Sequence, residues 1–148
     1  MITIAKKAAP VLNTILALGG LALVSGCATG GRDSAPPSLV AAPQLAGPSV
    51  TIYEASMSAP GFVVIHATDD EGKPLVPGSI GVTAIPGGQS HDVTVALTEP
   101  VSPGDRLIAM LYFDSGQPGV YEFGTTSIAE DKPVMYDGKP VATVIDLE

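Results

Sequence analysis

The chain has 148 residues, a formal net charge of −8 and a single cysteine. That length fits one modest domain with a flanking segment, and a lone thiol excludes any disulfide within the chain. Acidity with only seven Lys and Arg argues against nucleic-acid binding, which needs clustered cations on phosphates.

The chain opens with a leader. Lys6 and Lys7 form a positive start, and no acidic residue precedes Asp33. Between them runs the apolar stretch Ala8 to Val24, broken by Pro10 and Gly19-Gly20 and ending in small residues. A charged start, an apolar stretch and small residues before a cleavage point make a signal peptide. A transmembrane helix needs about 20 unbroken apolar residues, so cleavage is the expected fate. Leu23-Val24-Ser25-Gly26-Cys27 has the pattern of a bacterial lipobox. The Cys27 sulfur would carry a diacylglycerol as a thioether, cleavage between Gly26 and Cys27 would free its amine for acylation, and several acyl chains hold far more firmly than one. The expected cofactor count is therefore none beyond that covalent lipid. The expected location is the cell envelope, with the membrane as partner through the anchor. In a diderm cell Ala28, a non-Asp residue after the cysteine, directs the chain to the outer membrane, facing the periplasm or the surface. Lys6 and Lys7 leave with residues 1–26, which takes the net charge from −8 to −10.

Residues 27–48 are rich in Ala, Pro, Gly and Ser and carry no sustained period. They read as a lipidated cysteine followed by a flexible tether, able to span roughly 60 Å at about 3 Å per residue.

From Ser49 to Glu148 the pattern is that of a β-domain. Apolar and β-branched runs alternate with Gly, Pro and Asp clusters. Strands are predicted at 50–53, 62–67, 80–85, 91–97, 106–113, 120–123 and 141–147. Val93, Val95 and Leu97 share one face of their strand, with Asp92 and Thr94 on the other. The run from Arg106 to Phe113 is the most apolar and is predicted to be central. Asp70-Glu71-Gly72-Lys73-Pro74 and Tyr136-Asp137-Gly138-Lys139-Pro140 are two similar turns. Seven short strands at this spacing predict an all-β fold, a seven-stranded immunoglobulin-like β-sandwich, with a small barrel as the alternative. Without tryptophan or a disulfide, the core must come from Val, Ile, Leu, Met, Phe and Tyr.

Three stretches together resemble a known family: Gly61 to His66; Ser79-Ile80-Gly81 with His91 to Leu97; and Leu107 to Asp114 running on to Gly119-Val120-Tyr121-Glu122-Phe123. They are similar to an exported β-domain of unknown function found in archaeal surface proteins and bacterial secreted or lipid-anchored proteins. The resemblance spans about Ser49 to Leu147. It implies a β fold and an exported location, and no established activity. Some members have an Asp/Asn-rich loop resembling a calcium loop. The matching stretch here, Asp114 to Gly119, keeps one carboxylate and so departs from that pattern.

The candidate chemistry is sparse. His66 and His91 are the only histidines. With Met110, Met57 or Asp114 they could form a copper or zinc site, because imidazole suits both metals and thioether suits Cu(I). The bland reading of each histidine is a ring satisfied by backbone or water. Asp69-Asp70-Glu71 reads as a solvated turn, since three consecutive residues cannot all reach one calcium ion. No Gly-x-Ser-x-Gly elbow and no phosphate loop occurs, and nothing marks Glu54, Glu99 or Glu122 as a catalytic pair. Tyr53, Tyr112, Tyr121 and Tyr136 are either contact residues or core positions. The expected function is a non-enzymatic, anchored envelope module that contacts another protein or the cell-wall matrix. A periplasmic metal-binding domain and an envelope hydrolase are the alternatives.

Overall fold

Runs of Val, Ile and Thr favour extended backbone because their branched side chains fit the pleated surface. The computed structural model describes residues 35–124 and 131–148. Ten strands and no helix occur among them. In chain order the strands are β1 (Ser38–Val40), β2 (Ser49–Met57), β3 (Gly61–Ala67), β4 (Gly81–Ile85) and β5 (Gly88–Ala96). They continue with β6 (Arg106–Phe113), β7 (Lys132–Pro133), β8 (Met135–Tyr136), β9 (Lys139–Pro140) and β10 (Ala142–Asp146).

These strands make two main sheets and a small hairpin. One sheet has the order β1-β2-β5. The other has the order β10-β6-β3-β4, with β7 joined to the end of β6. β8 and β9 pair only with each other. The chain changes sheets at Pro86-Gly87, between β4 and β5. Inward side chains of both sheets form the main core: Val50, Ile52 and Val95 from one, and Val63, Ile65 and Leu111 from the other. Burying each such side chain contributes about 1.5–3 kcal/mol. The result is an all-β, sandwich-like fold.

β3 and β6 read as continuous apolar runs because both of their faces are covered. Val63, Ile65, Leu107, Ala109 and Leu111 point into the main core. Phe62, Val64, Ile108, Met110 and Tyr112 form a second cluster, with Tyr121 and Phe123 packed against it. A one-sided strand would have alternated instead. The two strands also approach closely. A Cβ on Gly61 would lie 2.1 Å from the carbonyl oxygen of Tyr112, so only glycine fits there.

β2 and β5 change faces part-way along. Val50 and Ile52 point inward, and so do Ala55 and Met57, which have the opposite parity. The register passes from Ile52 opposite Val93 to Glu54 opposite His91, with no Tyr53–Asp92 pair. Asp92 adopts a left-handed conformation, φ 50°, at that break.

Two sequence expectations are revised. The fold begins before Ser49. β1 pairs Ser38 to Val40 with Ser56 to Glu54, and Leu39 is buried in the main core. Gln44 fastens the next stretch: its amide donates to the Thr51 carbonyl at 3.1 Å, and its oxygen accepts from the Thr51 N–H at 2.7 Å. The segment predicted as a strand at 120–123 is turn and coil. Its aromatic residues lie on the outer face of β3 and β6 rather than in a ladder. The other six predicted strands correspond to β2, β3, β4, β5, β6 and β10. Both Gly-Lys-Pro sequences form turns, with Gly72 at φ 77° and Gly138 at φ 74°.

Candidate functional site

His66 and Asp131 are buried polar side chains, and His66 sits beside Tyr112 of the cluster on the outer face of β3 and β6. His66 ends the outward row of β3 and is fully buried. Its Nδ1 lies 2.6 Å from the Gly78 carbonyl oxygen. A carbonyl only accepts, so Nδ1 carries the proton and Nε2 is left as an acceptor. The Tyr112 hydroxyl, 3.3 Å away, donates to it. Burial lowers the His66 pKa, and the Gly78 hydrogen bond opposes that in part.

Tyr112 links His66 to the segment after β6. Its ring meets Tyr121 edge-on at 5.4 Å and Phe123 at 5.0 Å, and Phe62 meets Tyr121 at 5.6 Å. Edge-to-face pairs of this kind add about 0.5–1.5 kcal/mol each to area burial. Burial raises the pKa of both tyrosines, so both stay protonated at any physiological pH. The two hydroxyls are close enough to perturb each other, yet no hydrogen bond of good geometry reaches that of Tyr121.

A buried carboxylate fixes the same segment. Asp131 is fully buried. Its Oδ1 accepts from the Ser115 N–H at 3.0 Å and its Oδ2 from the Glu122 N–H at 2.7 Å. Asp114 Oδ2 accepts from the Gly119 N–H at 2.6 Å, and Glu122 Oε2 from the Gln117 N–H at 2.8 Å. Asp114 Oδ1 is buried without a hydrogen-bond partner. Carboxylates here do the work that ladder hydrogen bonds do in a strand.

A model for a domain of unknown function, DUF7282, matches residues 37–147. The chain belongs to this family. No curated protein and no solved structure matches it significantly. The matched range starts at the residue before β1, consistent with a DUF7282 domain that begins earlier than its apolar periodicity does.

The DUF7282 domain does not assemble the metal ligands considered from the sequence. His66 lies in the five-stranded sheet, with both ring nitrogens engaged. His91 is exposed on β5 of the other sheet, opposite Glu54. Met110 is buried in the outer aromatic cluster, and Asp114 braces the loop after β6. Met57 belongs to the main core. No group of three or more His, Cys, Asp or Glu positioned to hold a metal occurs among the described residues. Gly26 and Cys27 lie outside the described residues.

The remaining candidates are spread over the DUF7282 domain. Tyr53 and Tyr136 are exposed, at 46% and 55%, whereas Tyr112 is fully buried. Tyr121 is half-buried in the aromatic cluster. Asp69 organises its turn, with Oδ1 accepting from the N–H groups of Glu71 and Lys73. It shares an open polar cleft at one end of the sandwich with Glu71, Asp105, Arg106 and Asp146. Arg106 Nε bonds Asp146 Oδ1 at 2.8 Å within that cleft. Sequence reasoning missed Asp131. The signal was weak: one of two adjacent acidic residues, Glu130-Asp131, with its two N–H partners 9 and 16 residues away in sequence.

Proposed function

We propose that this chain is a lipid-anchored cell-envelope protein whose domain, an immunoglobulin-like sandwich, is a non-enzymatic binding or structural module. The observation that carries the non-enzymatic reading is how its most buried polar groups are used. Both nitrogens of His66 and both carboxylate oxygens of Asp131 bind other parts of the same chain. A general acid, base or nucleophile must instead turn a reactive atom toward a substrate. Anchoring rests on the leader and on Leu23 to Cys27, with the diacylglycerol on Cys27 and the residues before β1 as a short tether. Contacts with an envelope protein or the cell wall fall to exposed apolar and aromatic side chains, among them the adjacent Met135 and Tyr136 on the β8–β9 hairpin, at 54% and 55% exposure.

The test is production of the whole chain in a bacterium, with membrane fractionation and mass analysis of the N-terminal peptide. The expected product begins at Cys27, carries a diacylglycerol and sediments with membranes. Cys27→Ser should abolish both the added mass and the sedimentation. A wild-type chain found soluble with an unmodified thiol would refute the anchored reading.

A further inference from the structure

We infer that His66 is the pin of an acid-released latch: when neutral it holds residues 75–78 and 114–124 against the outer face of β3 and β6, and its protonation frees them. The inference is independent of the anchoring proposed above.

The geometry places His66 between two segments. One is the connection from β3 to β4, which it grips directly through the Gly78 carbonyl at 2.6 Å. The other is the stretch after β6, which it reaches through one residue. Tyr112 donates to Nε2, and its ring carries Tyr121 and Phe123. The two segments also touch each other. A Cβ on Gly124 would lie 2.3 Å from Cβ of Pro77, so the backbone at 124 rests on that proline. Tyr121 and Phe123 of the second segment pack against the cluster of Phe62, Val64, Ile108 and Met110.

Protonation reverses one hydrogen bond of this arrangement. Nε2 then carries a proton that faces the Tyr112 oxygen, and the Tyr112 O–H has to turn away. The neighbouring hydroxyl is that of Tyr121, which no hydrogen bond of good geometry reaches. The larger effect is charge. A buried cation is costly unless a carboxylate pairs with it.

Among the described residues, the groups facing His66 supply no such pair. From β6 come Tyr112, which is neutral, and Arg106, which is bound to Asp146. From the segment after β6 come Tyr121, Asp114, Glu122 and Asp131. The Asp131 oxygens are taken by backbone N–H groups, Glu122 accepts from Gln117, and Asp114 accepts from Gly119. The turn after β3 carries Asp69, Asp70, Glu71 and Lys73, all exposed. β4 carries no titratable side chain. Among the described residues, no carboxylate hydrogen-bonds the imidazole.

The test uses the mature chain. Hydrogen exchange is followed residue by residue at about pH 7.5 and about pH 5, corrected for intrinsic exchange. Acidification is expected to cut the protection of amides in 115–124 by about tenfold, while β2 and β5 in the other sheet change less than about twofold. The His66 Cε1 proton should titrate below the ordinary histidine value of about 6.5. His66→Gln, which keeps a donor and an acceptor but does not titrate in this range, should abolish the acid-dependent loss. Equal loss in both sheets would mean simple global destabilisation and overturn the latch. So would unchanged protection at 115–124, or a His66 that titrates at or above the ordinary histidine value of about 6.5. A folded His66→Gln chain that still opens in acid would assign the trigger to another group and overturn it too. If that variant does not fold, the wild-type exchange and titration still decide.

Discussion

Replacing Asp131 by Asn should separate a structural carboxylate from an incidental one. The side chain is fully buried, and each oxygen accepts one backbone N–H, from Ser115 at 3.0 Å and Glu122 at 2.7 Å. Hydrogen bonds to a charged acceptor contribute about 1.5–3 kcal/mol each. Asn retains one acceptor, now neutral, and turns an N–H₂ group toward the other N–H. One bond weakens and the other becomes a donor facing a donor, for an expected loss of about 3 kcal/mol. In a domain of this size that lowers Tm by roughly 10 °C. Asp131→Ala strands both N–H groups and should lose more than Asp131→Asn. Urea unfolding gives the global loss, and hydrogen exchange at the Ser115 and Glu122 amides gives the local one. The reasoning fails if Asp131→Asn keeps both amides as protected as wild type and shifts stability by less than about 0.5 kcal/mol.

Gly61→Ala forces a Cβ to 2.1 Å from the Tyr112 carbonyl and must push β3 from β6; a loss above about 3 kcal/mol, or no folded protein, is expected in thermal circular dichroism. A chain starting at residue 49 loses β1, buried Leu39 and the Gln44–Thr51 bonds; its urea midpoint should correspond to about 3–5 kcal/mol less stability than a chain starting at 35. Acid sensitivity has a definite sign at His66. Its folded-state pKa is lowered, so the unfolded chain binds the proton more tightly. The native state is favoured in full above about pH 6.5, and that advantage is lost as pH falls below it toward the folded value. Urea midpoints in that window should fall with pH in wild type and stay flatter in His66→Gln, and a slope shared by both would point to another group.

Most of the sandwich was legible because its strands carry their own signals. β5 shows clean alternation at Val93 and Val95, and β3 and β6 show unbroken apolar runs between Gly and Pro clusters. The prediction of a central strand at 106–113 matches β6, which pairs with both β3 and β10. β1 was hidden because three residues, Ser38-Leu39-Val40, sit among Ala and Pro and gain their order from β2. The stretch Val120 to Phe123 failed for the opposite reason. It alternates like a strand, but it is fastened by the side chains of Asp131 and Tyr112, which no local pattern encodes. The outer cluster was illegible for the same cause. His66 stands out in the sequence as one of two histidines, but its partners Gly78 and Tyr112 lie 12 and 46 residues away, beyond any local pattern.

The break at Asp92 bears on how copies of the chain coexist. β5 is an outermost strand of its sheet and runs for nine residues, long enough to template a strand from a neighbouring molecule. A left-handed, charged residue in its middle interrupts the repeat of backbone donors and acceptors, and the Thr83 hydroxyl occupies the Thr94 carbonyl at 3.2 Å. Proteins confined to a membrane surface meet each other at high local concentration. If the chain is held there by the proposed lipid, Asp92 is the residue that would keep crowding from becoming polymerisation.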